Sequence, residues 1–155
     1  MTTTVRVLAE SSAAPERLLA AAYDFSATRP EVWPNVAPDL YEVHSVSETS
    51  ADVTEGGRLG PMVAWERCEY DWSTPGSVKT VVTDSNVYTS GDSSWEMRVT
   101  PTSGGSRVEM IWVRGFRRTP TATFLSLGYR LGGRRLFTPD VLKVLRNIER
   151  REATL

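Results

Sequence analysis

Cysteine and histidine are nearly missing from this chain: one of each occurs in 155 residues. A lone Cys68 cannot form an internal disulfide, which fits a reducing compartment. One cysteine and one histidine are too few ligands for a structural zinc site. Long apolar runs are also missing. No stretch approaches the roughly twenty residues of a membrane-spanning helix, and the N-terminus lacks the apolar region of a signal peptide. The sequence therefore predicts a cytoplasmic protein without integral membrane association. There is no phosphate-binding loop, because Ser103-Gly104-Gly105-Ser106 precedes a strand pattern and reads as a hairpin turn. No cofactor and no metal are expected. Repeats and low-complexity linkers are absent too, so residues 1–155 are read as one domain, large enough to bury a core.

Net charge is close to zero, at −1, but it is unevenly spread. Residues 1–113 hold eight basic and sixteen acidic side chains; residues 114–155 hold ten basic and three acidic. One reading is that a basic terminal segment packs on an acidic body. The other is a basic rim that attracts an anionic ligand or lipid headgroup. The arginines are dispersed and the aromatics lie far from them, so no nucleic-acid partner is expected. Nothing in the sequence sets an oligomeric state.

Alternation and turn residues divide the chain. Thr3–Glu10 reads as a strand. Ser11 or Ser12 can cap a following helix that has Pro15 and Glu16 in its first turn and runs to about Phe25. Arg29–Pro34 reads as a further helical turn. Six strands are then predicted: Leu40–Thr49, Ala51–Gly57, Met62–Ser73, Ser77–Asn86, Ser93–Pro101 and Ser106–Arg118. Their short connections predict an antiparallel meander. Thr119–Leu131 is helical but carries Gly128, and Gly132-Gly133 interrupts it. Thr138-Pro139-Asp140 reads as a new helix start, followed by Val141, Leu142, Leu145 and Ile148 at helical spacing.

Met62–Trp72 is the most informative strand. Side chains on a strand alternate between faces, so Met62, Ala64, Glu66, Cys68, Tyr70 and Trp72 share one. That face is dry apart from Glu66 in its middle. The matching parities elsewhere are Tyr41, Val43 and Ser45; Val53 and Glu55; Val78, Thr80 and Val82; Trp95, Met97 and Val99; and Val108, Met110, Trp112, Arg114 and Phe116. A charge on such a face needs a partner, and a Glu66–Arg114 pair with fork geometry would supply one. Two readings stay open: a pair bracing two strands, or a polar anchor inside an apolar pocket. Val63 and Trp65 break the alternation, which allows a bulge or a covered edge there. His44 lies on the outward parity, so a Ser-His-Asp or Cys-His site is not expected. Cys68 reads as a small buried hydrophobe.

The order of elements resembles the helix-grip fold of the Bet v 1-like or START-like superfamily. So do Ala14-Pro15-Glu16, Arg29-Pro30-Glu31-Val32-Trp33-Pro34, Ala51-Asp52-Val53-Thr54-Glu55-Gly56, Tyr70-Asp71-Trp72 with Pro75-Gly76, and Gly104-Gly105-Ser106-Arg107-Val108-Glu109. Actinobacterial members are described as polyketide cyclase/dehydrase and lipid-transport type proteins. The resemblance implies an α+β fold in which a curved antiparallel sheet of about seven strands wraps a long C-terminal helix, with two short helices after the first strand. It also implies a cavity between sheet and helix that takes a small apolar or amphipathic ligand. Candidate ligand-binding residues are Glu66, Arg114, Trp112, Tyr70, Trp95, Met97, Met110, Tyr41, Phe116 and Cys68. The alternatives are a cofactor-independent cyclase or dehydratase, with Glu66 as base and Arg114 or a tyrosine polarising a carbonyl, and a partner-binding module that uses the basic terminal helix.

Overall fold

The computed structural model describes residues 1–153, with Glu152 described by its backbone alone. Seven strands form one antiparallel sheet: β1 (Thr2–Ser11), β2 (Glu42–Val46), β3 (Ser50–Leu59), β4 (Met62–Asp71), β5 (Ser77–Ser85), β6 (Ser94–Thr102) and β7 (Gly105–Gly115). The helices are α1 (Pro15–Ala22), α2 (Arg29–Val32) and α3 (Pro120–Ala153), and Pro38–Leu40 forms a 3₁₀ turn. Strand order is β1-β7-β6-β5-β4-β3-β2. The meander predicted from the turns therefore runs from β2 to β7, and β1 closes it by pairing with β7. This is the helix-grip arrangement expected from the sequence.

The inner face of the sheet follows the predicted parity. Val53, Cys68, Tyr70, Val78, Thr80, Val82, Trp95, Met97, Val99, Val108 and Met110 are all buried. They meet Leu18 and Ala22 of α1, Val32 and Trp33, and Val141, Val144, Leu145 and Ile148 of α3 in one core. Fully burying each Val, Leu or Met contributes roughly 1.5–3 kcal/mol, so this layer supplies most of the drive for α3 to lie on the sheet. Two polar contacts fix its C-terminal end. Ser11 Oγ donates to Glu149 Oε1 at 2.7 Å, and Asn147 Nδ2 donates to the Val32 carbonyl at 3.0 Å. The β6–β7 hairpin closes at Ser103-Gly104, as its sequence predicts. Gly105 follows at φ +148°, where a Cβ would lie 2.2 Å from the Ser11 carbonyl oxygen. Only glycine lets this hairpin approach the end of β1 so closely.

Three local expectations are corrected. The predicted Leu40–Thr49 strand shortens to Glu42–Val46, because Pro38 starts a 3₁₀ turn that takes Leu40 and leaves Tyr41 outside the ladder. Val43 keeps its place opposite Val53 but is exposed on this edge strand, and the register shifts at His44. The irregularity on β4 lies between Arg67 and Cys68, against β5, rather than at Val63 and Trp65. Neither Ser11 nor Ser12 caps α1: Ala14 holds that position, and Ser11 Oγ accepts from the Ala13 N–H instead.

The largest correction concerns α3. The sequence predicts a break at Gly132-Gly133 and a new start at Thr138, yet one helix of 34 residues spans both. Each glycine costs about 1 kcal/mol relative to alanine, which weakens a helix without ending it. Here the glycines also make room: a Cβ on Gly133 would lie 3.1 Å from Val5, and one on Gly132 would lie 2.9 Å from Leu136. Pro139 removes the amide that would bond to the Arg135 carbonyl. The Thr138 hydroxyl turns back to the Arg134 carbonyl at 2.6 Å rather than capping a new helix. Packing holds both ends, through Ala122 and Leu125 at one and Val141–Ile148 at the other. Between Leu125 and Val141 no described residue of α3 is buried. Amide hydrogen exchange is therefore expected to be faster in Gly128–Arg135 than in Val141–Arg150; equal protection would show the middle to be as firmly held as the end.

Candidate functional site

Two carboxylates face each other on the inner side of the sheet. Glu55 on β3 and Glu66 on β4 are direct register partners. Like charges directly opposite one another on one face of a sheet repel, and burial would multiply the cost. Each therefore has its own buried arginine.

Arg29 serves Glu55. It is the first residue of α2, and its side chain is 1% exposed. Its Nε donates to Glu55 Oε1. Its Nη1 donates to the Ala22 and Asp24 carbonyls, each at 3.0 Å, placing a cation at the C-terminal end of α1, where the helix dipole favours one. Tyr70 completes the cluster, donating to Glu55 Oε2 at 2.7 Å and accepting from Arg29 Nη2 at 3.3 Å. The guanidinium carbon also lies 4.7 Å from the centroid of the Phe25 ring. Burial opposes the Arg29 cation, but Glu55 and Tyr70 outweigh it and its pKa rises. Burial, reinforced by Glu55, also pushes the Tyr70 hydroxyl well above its usual range.

Arg114 serves Glu66 from β7, across the curl of the sheet. Its two terminal nitrogens donate to Glu66 Oε2 at 2.8 Å and Oε1 at 3.2 Å. This is the bidentate fork that the strand parities predicted. Its guanidinium carbon lies 4.3 Å from the centroid of the Tyr88 ring, a cation–π contact. Burial pushes the Glu66 carboxyl above the usual glutamate range, Arg114 pulls it back, and the facing Glu55 adds to the rise. Arg114 Nε is buried and has no hydrogen-bond partner.

Around this second pair lies a chain of rings. Trp112 stacks on Phe137 at 4.9 Å, Phe137 meets Tyr129 at 4.8 Å, and Tyr129 meets Phe116 edge-on at 5.2 Å. The Tyr88 and Tyr129 hydroxyls are 3.1 Å apart. Trp112, Phe116, Tyr129 and Phe137 are only half-buried, and Tyr129 and Phe137 come from the stretch of α3 in which no described residue is fully buried.

The ten candidates read from the sequence thus divide between two ends of the inner face. Tyr70, Trp95, Met97, Met110 and Cys68 lie in the packed core beside or between the ion pairs. Burial pushes the Cys68 thiol far above its usual range, so no thiolate is available there. Tyr41 lies beside the α1–α2 connection, donating to the Ser26 carbonyl at 3.2 Å. Glu66, Arg114, Trp112 and Phe116 lie at the other end, with Tyr88, Tyr129 and Phe137. Sequence reasoning missed Arg29, Tyr88, Tyr129 and Phe137. For Arg29 a signal existed: pairing Glu66 with Arg114 left Glu55 on the dry face without a counter-charge. His44 points away from the inner face and contacts Thr54 Oγ1 at 2.7 Å. Among the described residues, no group of three or more His, Cys, Asp or Glu could hold a metal ion, and no helix is long and apolar enough to cross a membrane.

The sequence matches no protein-family model and no curated protein. Solved structures with the same fold do match over nearly the whole chain. Zhui aromatase/cyclase from Streptomyces sp. R1128 is 12% identical, with a TM-score of 0.78 over 97% of this chain and 96% of that one. A START superfamily protein from Mycobacterium smegmatis is 12% identical, with a TM-score of 0.72 over 99% of both chains. A major latex-like protein from Panax ginseng is 14% identical, with a TM-score of 0.59 over 97% of both. Identities this low establish the shared fold and leave the site to be argued from its own residues.

Arg114→Met should cost about 3–5 kcal/mol at neutral pH, because Glu66 is left buried without its counter-charge. Adding Glu66→Gln should recover most of that loss, as measured by urea unfolding. The raised pKa of Glu66 also sets a pH dependence. Its contribution to stability is complete below the ordinary glutamate range and declines as pH rises through the raised value. The wild-type unfolding midpoint minus that of Glu66→Gln should fall by that decline as pH rises, because the carboxylates held low by their partners, Asp39, Asp52, Asp71 and Glu96, contribute equally to both proteins.

Proposed function

We propose that the protein binds an amphipathic, ring-containing small molecule at the Glu66–Arg114 end of the inner face, between the sheet and the middle of α3. The observation that carries this reading is Arg114: a buried guanidinium, forked onto Glu66, whose Nε has no partner and lies among half-buried aromatic rings. A buried donor of this kind calls for an acceptor. A ligand carboxylate, phenolate or carbonyl supplies one, while Trp112, Phe116, Tyr129 and Phe137 take its rings. The weakly packed middle of α3 gives the route in: Tyr129 and Phe137 move with that segment, so its displacement opens the space they fill.

A second reading is favoured by the fold match to an aromatase/cyclase. Under it, Glu66 acts as the base that removes a proton next to a ligand carbonyl, and Arg114 with the Tyr88–Tyr129 pair stabilises the resulting enolate oxygen. Conversion of a polyketide-like substrate that is lost in Glu66→Gln, with binding retained, would select this reading; release of the substrate unchanged would exclude it.

The test of binding uses anilinonaphthalene sulfonate, an anionic aromatic probe, and N-phenylnaphthylamine, its uncharged relative. The anionic probe should bind about tenfold more tightly or better, the worth of a charge-assisted hydrogen bond. Trp112→Leu should weaken both. No binding of either probe, or binding indifferent to Trp112, would remove the proposal.

A further inference from the structure

The outward side of α3 carries a surface that the Glu66–Arg114 site does not use. Between residues 110 and 139 there are six arginines and no Asp or Glu. Arg114 is spent on Glu66; Arg117, Arg118, Arg130, Arg134 and Arg135 are exposed. Among the described residues of the segment from Arg114 onward, only Arg114 and Arg151 pair with a carboxylate. The basic terminal segment is thus not neutralised by the acidic body, which decides between the two sequence-based readings of the charge asymmetry.

Large apolar side chains share this surface. Phe124, Leu127 and Leu131 are 63%, 50% and 86% exposed. Their spacing of three and four residues puts them in one stripe of a helix turning about 100° per residue. The same rotation places Arg134 and Arg135 on either side of the stripe. Beside it, Phe124 and Leu127 join Met1, Phe116 and Pro120 in an open groove of about 700 Å³ edged by Arg117, Arg118 and Arg130. Further along, Leu142 lies in a second groove with Arg134, Arg135 and Arg146. Single exposed leucines mean little, but a contiguous apolar stripe rimmed by charge marks an interaction surface.

We infer that this face of α3 binds the surface of an anionic lipid bilayer. Phe124, Leu127 and Leu131 enter the boundary between headgroups and acyl chains, and the five exposed arginines pair with lipid phosphates. The stripe's side chains are at least half exposed, which leaves them free to enter a fluid surface. The flanking arginines have apolar stems long enough to reach the headgroup level. A second copy of the chain on the same face would set five unpaired arginines against five. The charge asymmetry of the whole chain adds orientation, because an anionic surface attracts the segment from Arg114 onward and repels the rest.

Co-sedimentation with phosphatidylcholine vesicles, with and without phosphatidylglycerol, tests the inference on the full chain. Binding is expected only when phosphatidylglycerol is present and should weaken as NaCl is raised. Arg130→Gln with Arg134→Gln should weaken it about twenty-five-fold, roughly fivefold per charge lost. Leu127→Glu with Leu131→Glu should abolish it while thermal unfolding, read by near-ultraviolet circular dichroism, stays at the wild-type midpoint. In Leu131→Trp, the new tryptophan's emission should shift to the blue on anionic vesicles. Four results would overturn the inference: no binding to anionic vesicles, equal binding to neutral ones, binding indifferent to these substitutions, or a concentration-dependent dimer that the Leu→Glu pair dissociates while vesicles stay unbound.

Discussion

The Glu55–Glu66 juxtaposition is the constraint around which the molecule is arranged. Two carboxylates on neighbouring strands, facing the same dry interior, cannot stand without two cations. One cation comes from α2 and the other from β7, so their neutralisation pulls two distant parts of the chain onto β3 and β4. Arg29 brings the end of α1 down with it by taking that helix's last carbonyls. Arg114 reaches β4 across the curl of the sheet, although β5 and β6 lie between the two strands in the ladder. The electrostatic requirement therefore ties the short helices and β7 to the same pair of strands.

The two pairs differ in how completely they are satisfied. Arg29 is enclosed by carbonyls, a carboxylate, a tyrosine hydroxyl and aromatic faces. Arg114 has a fork, a ring and one nitrogen left over. The first cluster includes the fully buried Tyr70; the second is walled by half-buried rings, two of them from α3 between Leu125 and Val141.

Strand parity made most of the fold legible. Val78, Thr80 and Val82, or Trp95, Met97 and Val99, are assigned to the interior by alternation alone, because a residue-by-residue reversal leaves little choice once one face is dry. The Glu66–Arg114 pair followed from the same rule applied to charges. Legibility failed where tertiary contact overrides local preference. Gly132, Gly133 and Pro139 argue locally for a broken helix, but packing at both ends carries the helix through. Arg29 was hidden for a related reason: nothing local marks a helix-starting arginine as buried, and only the full accounting of inner-face carboxylates calls for it. Tyr88, Tyr129 and Phe137 lie in a connection and in the misread stretch of helix, so no alternation pointed to them.

The pairing of β1 with β7 bears on the order in which the molecule can assemble. Thr2 stands opposite Gly115 and Ser11 opposite Ser106, so the earliest-made of these seven strands has its ladder partner supplied last among them. β2 through β7 can join as successive hairpins, each closing a short loop, whereas β1 must wait and then close a loop of nearly the whole sheet. Such non-local closure is what slows the folding of a chain. Until it happens, Val5 and Val7 have no ladder to cover them and offer an unprotected strand to other chains. Ser11, which later fastens Glu149, is idle for the same interval. The residues that look most secure in the finished sheet are thus the ones that spend longest without a partner.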